Sequence, residues 1–316
     1  MRDNVKLIVL LLISFIFIAL FIGLGLTADN YQYFLSRRIP KVLAMVLAGI
    51  AIAQSSLAFQ TITNNRILTP SIMGFDSLYL LIQAVIVVAF GRFSALMLSD
   101  YINFTLSVVI MMGFSLLLFA FYFRGEKQNL IGLLLLGVIL GQLFSNISSF
   151  FIMLMDPNNF AVVQSNMFAS FNNINVDLVY LSTPLLALVV IALYRMHHQL
   201  DVFWLDKDNA ISLGVDVKKV TMRVLILSAT LIAVSTALIG PIMFFGLLVT
   251  NLTRELFNTY QHKVLLIACS ILSIAALLSG EWMVENLFSF STTLSIVINF
   301  IGGVYFLSML LRNKVN

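Results

Sequence analysis

The sequence is poor in the residue types that soluble enzymes commonly use for chemistry. It holds one cysteine and three histidines in 316 residues, and charged residues make up only 10% of it. The single cysteine, Cys269, cannot close a disulfide within the chain and cannot form a metal cluster alone. The sequence therefore predicts neither a redox site nor a bound metal, and we expect no cofactor.

Motifs for hydrolysis are missing as well. The chain has no G-x-x-x-x-G-K-[ST] loop, no H-E-x-x-H and no evident Ser/His/Asp or paired-carboxylate arrangement within its apolar stretches. We therefore predict no catalytic residue and no enzymatic activity. If ATP is used, its hydrolysis must take place in a separate subunit.

Hydrophobic residues are abundant, at 60% of the chain. Apolar stretches of about 20 residues, the length of helix that crosses about 30 Å of hydrocarbon, recur with short polar breaks. They predict an all-α, polytopic membrane protein with about ten transmembrane helices in a single domain, residues 1–316. The predicted spans are 5–26, 41–62, 71–90, 102–123, 129–155, 178–196, 220–239, 244–257, 264–284 and 293–311.

Basic residues orient these spans. If the N-terminus is inside, all 18 Lys and Arg residues except Arg37, Arg38, Lys41 and Arg92 fall on the cytoplasmic side. The positive-inside rule therefore predicts a cell-membrane protein with both termini in the cytoplasm. The basic trio beside Pro40 is a local exception, and one explanation for it is that these side chains snorkel to lipid headgroups.

A charged stretch, residues 204–219, separates the sixth and seventh predicted spans. Asp206 can cap a short helix whose first turn carries Asp208, and Gly214 suits the left-handed position that ends such a helix. Ala210 and Leu213 are three residues apart and should share one face. The pattern predicts a cytoplasmic helix that either contacts a partner or rests on lipid headgroups.

Two further features concern packing and solvation. Gly137 and Gly141 form a G-x-x-x-G match, which favours close approach to a neighbouring segment. His197, His198 and His262 map to the ends of predicted helices, where we expect them to be solvated.

Four segments, in this order, resemble the FecCD-type permeases of type II ABC importers, which carry ferric siderophores, haem and cobalamin. The segments are "RRIPKVLAMVLAGIAIAQSSLAFQTITNNRILTPSIMG", "WLDKDNAISLGVDVKK", "GPIMFFGLLVTNLTR" and "FIGGVYFLSMLLR". The residues that match the family's motifs are Arg38, Pro40, Lys41, Asn65, Pro70, Gly74, Ala210, Leu213, Gly214, Val215, Gly240, Ile242, Phe244, Gly246, Leu247 and Arg254. The similarity extends over almost the whole chain.

The resemblance implies a permease that forms a translocation pathway as a dimer. Its expected partners are two ATP-binding subunits, a second permease chain, an extracytoplasmic substrate-binding protein and membrane lipid, with no nucleic acid. The implied cargo is a ferric siderophore, with haem or cobalamin as alternatives. A secondary transporter driven by an ion gradient is the competing class, but the acidic residues map close to the ends of the predicted spans. A receptor or scaffold without transport is a third class.

The resemblance also assigns roles to particular residues. Coupling to the ATPase falls to Asp206, Asp208, Ala210, Leu213 and Gly214; a cytoplasmic gate to Asn65 and Ile67; docking of the binding protein to Arg38 and Lys41. Glu281 and Glu285 are included in the predicted docking set, although relatives offer a basic residue near their position. Mild polar groups that could line the pathway are Gln142, Asn146, Ser149 and Asn299.

The chain departs from the family pattern at several positions. Thr250 and Asn251 stand where a Pro-His pair is usual, and Arg66 and Leu68 replace Pro and Ala. These departures favour the hypothesis of a heterodimer in which a sister chain supplies the more typical half.

Overall fold

The computed structural model describes residues 3–24, 26–27, 29, 31–124, 130–172, 174–205, 207–289 and 292–313. Within these residues the chain is helical and contains no strand. The helices are α1 (Asp3–Gly23), α2 (Tyr31–Thr63), α3 (Phe75–Phe90), α4 (Ala95–Leu98), α5 (Asp100–Arg124), α6 (Leu130–Met153), α7 (Pro157–Asn166), α8 (Val176–Tyr194), α9 (His197–Phe203), α10 (Lys207–Ser212), α11 (Val217–Ile239), α12 (Phe245–Leu256), α13 (His262–Asn286) and α14 (Leu294–Asn313). The all-α prediction is confirmed.

Each predicted span coincides with one of the longer helices, and α4, α7, α9 and α10 lie between them. In the described part of the chain, seven helices are long and apolar enough to cross a membrane: α1, α2, α5, α6, α8, α11 and α13. Helix α3 and the apolar part of α14 are shorter, and α12 has only 12 residues. Helix α12 packs against the longer helices α2, α13 and α14, and these contacts stabilise it despite its short length.

Helix α2 is the centre of the bundle. It packs against α11, α13, α8 and α12. Alanines at 44, 48, 51 and 58 are fully buried, and small side chains let neighbouring helix backbones approach closely. Helix α1 lies at the periphery, with Ser14 and Phe21 as its buried residues.

Helix α2 begins ten residues before the predicted span. The prediction placed Pro40 near the start of a helix, but Pro40 lies inside α2, which begins at Tyr31. Hydropathy marks only the part of a helix that sits in hydrocarbon, whereas backbone hydrogen bonding continues through polar residues. At about 1.5 Å per residue the 33 residues of α2 extend beyond a core of about 30 Å.

The bundle has two ends, which we name after two arginines of the α2 region. The Arg38 end holds the first turns of α2 and the last turn of α13. The Arg66 end holds the turn after Thr63, together with α9, α10 and the first residue of α13, His262. The predicted functional residues divide between these ends and the outer face of α6, except Asn299, which lies on α14.

Candidate functional site

The turn that follows α2, residues 64–67, carries both predicted gate residues, and we name it the gate turn after that prediction. Asn65 Oδ1 accepts a hydrogen bond from the Ile67 backbone N–H at 2.9 Å, which closes a local turn. The preceding residue, Asn64, has a φ of +48°, a left-handed conformation that asparagine tolerates better than most residues. Asn65 is exposed and Ile67 is half-buried, so the turn presents both residues at the Arg66 end.

The backbone of this turn is clamped by two side chains from different helices. The Arg66 carbonyl accepts hydrogen bonds from Gln60 Nε2 at 2.8 Å and from Asn251 Nδ2 at 3.0 Å. Gln60 Nε2 also donates to Thr250 Oγ1 at 2.9 Å. Thr250 and Asn251, the departures from the family's Pro-His pair, therefore tie α12 to the gate turn. Sequence analysis did not identify Gln60. The one feature that could have indicated it is a polar amide side chain within an otherwise apolar helix.

A cavity of about 800 Å³ opens beside the turn. It is lined by residues 64–67, by Asn251, Arg254 and Glu255 of α12, and by Tyr305 and Ser308 of α14. The structure thus brings the two predicted gate residues together with Arg254, the last residue of the segment GPIMFFGLLVTNLTR. The polar lining suits the passage of a polar solute near the Arg66 end.

A contact between two glycines fixes the far side of the gate turn. After a 3-10 turn at Pro70–Met73, Gly74 has a φ of +89°. A Cβ added at Gly74 would lie 2.6 Å from Gly141 Cα, and one added at Gly137 would lie 3.1 Å from Met73 Cα. The Gly137 and Gly141 pair therefore serves packing within the chain, against the 3-10 turn and the start of α3.

We expect Gly141→Ala to destabilise the protein. The added methyl group meets backbone at 2.8 Å, which cannot rotate away, and overpacking of this kind costs about 1–3 kcal/mol. Gly113→Ala in α5 is the matched control, because its Cβ meets nothing within 4 Å. The measurement is the apparent Tm of the detergent-solubilised protein. Equal Tm values for the two variants would contradict the steric argument.

Three of the four predicted pathway residues share the outer face of α6. Gln142, Asn146 and Ser149 are exposed at spacings of four and three residues. Gln142 Nε2 donates to Asn146 Oδ1 at 3.1 Å, which forms a polar stripe among exposed apolar side chains. A polar stripe on an otherwise apolar surface is unfavourable against lipid and favours a protein or water-lined neighbour.

The fourth predicted pathway residue, Asn299, lies elsewhere. It is half-buried on α14, and its Oδ1 accepts a hydrogen bond from the Phe244 backbone N–H at 3.5 Å. Helix α14 packs against α12 and α13, whereas α6 packs against α3 and α5. The four residues do not form one wall within a single chain.

At the Arg38 end, Lys41 is the centre of an internal ion cluster. Its Nζ lies 2.8 Å from Glu281 Oε1 and also contacts Glu285 Oε1 and Asn172 Oδ1. The side chains of Lys41 and Glu281 are 13% and 2% exposed. Helices α2 and α13 thus bring three of the four predicted docking residues together in one ion cluster, in which a single cation faces two carboxylates. Their role in docking remains a prediction.

The neighbouring arginines remain nearer the surface. Arg38 Nη1 donates to the Ile22 carbonyl at 3.0 Å, and its guanidinium lies 4.8 Å from the ring centroid of Phe34. Arg37 is exposed and lies over the ring of Tyr33. A cavity of about 490 Å³ opens beside these side chains. Arg37, absent from the predicted docking set, is thus the most accessible cation of the basic trio.

The predicted short helix in residues 204–219 is present as α10. Gly214 has a φ of +80°, and the Val215 N–H donates to the Ala210 carbonyl at 3.0 Å, so the predicted left-handed stop is confirmed. Asp216 caps α11, and the side-chain hydrogen bond from Lys219 lowers the pKa of Asp216. Asp206 and the side chain of Asp208 lie outside the described residues.

The outward face of α10 differs from the prediction. Ala210 is fully buried within the chain, whereas Leu213 is 63% exposed, so the two do not share an outer face. Ile211, at 60% exposure, is the apolar neighbour of Leu213 on the surface. The Leu213 N–H still donates to the Asn209 carbonyl at 3.0 Å, so the helical turn continues to Leu213. The difference arises because α10 packs against α9 and α11, which bury Ala210 and leave Leu213 at the surface.

Comparison with known proteins extends this picture. The model of the FecCD transport family matches residues 6–312. The chain is 50% identical over 314 residues to the petrobactin import system permease protein YclO of Bacillus subtilis (strain 168), with 99% of each chain covered. It is 33% identical over 278 residues to the petrobactin import system permease protein FatC of Bacillus anthracis, covering 88% of this chain and 78% of that one. A solved inward-facing metal-chelate type ABC transporter has a TM-score of 0.85 and 24% identity, covering 98% of this chain and 99% of its own.

Proposed function

Because this chain belongs to the FecCD transport family, we propose that it lines, with a second permease chain, the pathway by which an ATP-driven importer brings a ferric siderophore into the cell. The chain is a multi-pass membrane permease subunit of an ABC importer. The observation that carries the choice of cargo is the 50% identity, across 99% of both chains, to a permease named for petrobactin import. Petrobactin is therefore the cargo that we propose.

The Arg66 end faces the cytoplasm in this proposal. Lys218, Lys219 and Lys263 lie at or near this end, beside α10 and the start of α13. Lys and Arg are retained on the cytoplasmic side of membrane proteins, which supports this orientation. The N- and C-termini are then cytoplasmic, and the Arg38 end faces outward.

Two permease chains complete the pathway. The polar stripe of Gln142, Asn146 and Ser149 on α6 needs a polar or protein neighbour, and a second permease chain facing it would provide one. Asn299 would line the same pathway only if it belonged to the second permease chain or if it lay at a different depth along the pathway. The gate turn with Asn65 and Ile67 narrows the pathway at its cytoplasmic mouth, beside the cavity of about 800 Å³.

The remaining partners bind at the two ends. At the cytoplasmic end, Ile211 and Leu213 of the α10 segment would enter a cleft of an ATPase subunit, since exposed apolar side chains beside a charged segment are typical of a docking surface. At the outer end, Arg37 and Arg38 would meet acidic residues of the substrate-binding protein. The second permease is either a copy of this chain or a sister chain, and copurification of a different permease would establish the latter.

Transport in proteoliposomes tests the proposal. We expect liposomes that contain this chain, its partner permease and the ATPase subunits to accumulate radiolabelled ferric petrobactin when the binding protein and ATP are present. An uncoupler should leave this uptake unchanged, because no ion gradient drives it. Uptake that needs no ATP and collapses with the uncoupler would indicate an ion-driven carrier. Equal competition by haem or cobalamin would contradict the choice of cargo.

A further inference from the structure

Trp204 lies between the two segments that the proposed function assigns to coupling and gating. It follows the last residue of α9, Phe203, and lies three positions before the first residue of α10, Lys207. Its indole faces two arginines: the Arg254 Cζ lies 4.4 Å and the Arg66 Cζ 5.6 Å from the ring centroid. A guanidinium within about 6 Å of an aromatic centroid is attracted by the ring quadrupole.

One of these arginines belongs to the gate turn itself. Arg66 stands between the gate residues Asn65 and Ile67, and its carbonyl is the group that Gln60 and Asn251 clamp. The backbone of Arg66 is therefore held by α2 and α12, while its side chain is held by the ring of Trp204. A displacement of Trp204 acts directly on the residue between the two gate residues.

Because Arg66 and Arg254 are both cations, the position of the Arg66 side chain depends on the Trp204 ring. Arg66 and Arg254 carry like charges and repel one another. The indole offers both guanidinium groups a favourable contact that offsets the repulsion. Without the ring, two cations would face each other beside the cavity, and we expect the exposed Arg66 side chain to move away.

The helix before Trp204 is anchored to the same end of the bundle. Asp201 Oδ1 accepts a hydrogen bond from the His262 backbone N–H at 2.6 Å and lies 2.8 Å from His262 Nδ1. His262 Nε2 lies 2.8 Å from Thr61 Oγ1 of α2. His262 is fully buried, so the expectation of a solvated histidine is corrected at this position. Helix α9 is thereby fixed to α2 and α13, and Trp204 is the side chain that links this anchor to the gate turn.

We propose that Trp204 is a positioning residue that transmits movement of the α10 segment to the gate turn through the contacts of its ring with the guanidinium groups of Arg66 and Arg254. The inference rests on the proposed function, since it takes α10 as the ATPase contact and Asn65 and Ile67 as the gate. It adds a physical link between the ATPase contact and the gate. The Trp204 ring contacts the Arg66 side chain, and Arg66 lies between Asn65 and Ile67 in the chain.

The test uses the assembled complex with a cysteine at the gate, Ile67→Cys, to report crosslinking between permease chains with and without ATP. We expect Trp204→Ala to retain ATPase copurification and ATP hydrolysis. Its uptake per ATP hydrolysed should fall by roughly tenfold, and its crosslinking should lose the dependence on nucleotide. Trp204→Phe, which keeps a ring, should restore part of both. Tyr260→Ala, which removes an exposed ring from the loop between α12 and α13, is the control and should behave as the parent.

A second variant tests the same link independently, in case Trp204→Ala does not fold. Arg66→Ala changes an exposed side chain and should produce the same loss of coupling. The double variant should be no worse than either single variant, because both remove one interaction. Full coupling and nucleotide-dependent crosslinking in Trp204→Ala or Arg66→Ala would overturn the inference. If the parent complex itself binds no ATPase or shows no nucleotide-dependent crosslinking, the proposed function has failed and the inference falls with it.

Discussion

Replacing Ile211 and Leu213 together with aspartate should abolish stable association of the permease with its ATPase subunits. Both side chains are mostly exposed and apolar, and they lie at the C-terminal end of α10 and directly after it, at the proposed cytoplasmic end. Burying an unpaired carboxylate in a packed protein contact is strongly unfavourable. Loss of two central apolar contacts should weaken binding by at least about thirtyfold. The measurement is copurification of the ATPase from detergent extracts, with ATP-dependent uptake as the second readout.

The control for this experiment keeps the surface apolar. Ile211→Val with Leu213→Met changes shape but not polarity, so association should be retained. Ala210→Arg provides the contrast, because Ala210 is fully buried in its own chain. That variant should lower the apparent Tm of the permease alone, whereas the aspartate pair should not. Wild-type copurification with the aspartate pair would rule out this surface as the ATPase contact.

Replacing Lys41 with methionine should cause the largest loss of stability among single changes at the Arg38 end. The substitution leaves Glu281, whose side chain is 2% exposed, next to Glu285 with no cation between them. Removing one partner of a buried ion pair costs about 3–5 kcal/mol, because the remaining charge is neither solvated nor compensated. The apparent Tm of the solubilised protein reports this loss.

Two further variants separate structure from docking. The triple variant Lys41→Met, Glu281→Gln, Glu285→Gln removes all three charges and should recover most of the lost Tm. Arg37→Glu reverses an exposed charge and should leave the Tm unchanged. It should weaken binding of the substrate-binding protein and reduce the salt dependence of that binding. A normal Tm in Lys41→Met would show that the cluster contributes little to stability, and unchanged docking in Arg37→Glu would favour a lipid-headgroup role.

The predicted helices were largely right because each depends on its own segment. Apolar runs of sufficient length become helices in a bilayer, since an unpaired backbone amide in hydrocarbon is costly. The errors lie where hydropathy carries no information. The polar first turns of α2 and the short helices α7 and α9 were missed, because polar residues also form helices when caps or neighbours satisfy their ends. Asp156, for example, accepts hydrogen bonds from the N–H groups of Asn158 and Asn159 at the start of α7.

The candidate sites were predicted less completely than the helices. The predicted gate residues and the α10 segment were identified from motifs, and the structure places both at one end of the bundle. The partners of these residues were not found. Gln60 and Trp204 belong to no motif that marks them, and the buried side of α10 depends on which neighbour it packs against.

The sequence by itself determined that this chain is a helical membrane protein, how many apolar segments it has, and where its charged connections fall. These properties follow from the composition of continuous segments, which sets the free energy of each segment in water and in hydrocarbon. Only the tertiary structure decided that Lys41 meets Glu281 and Glu285, that Gly74 rests on Gly141, and that Trp204 stacks on Arg66 and Arg254. Each of these contacts joins residues far apart in the chain. Their energies come from burial, charge and close packing, which arise only after the helices have assembled.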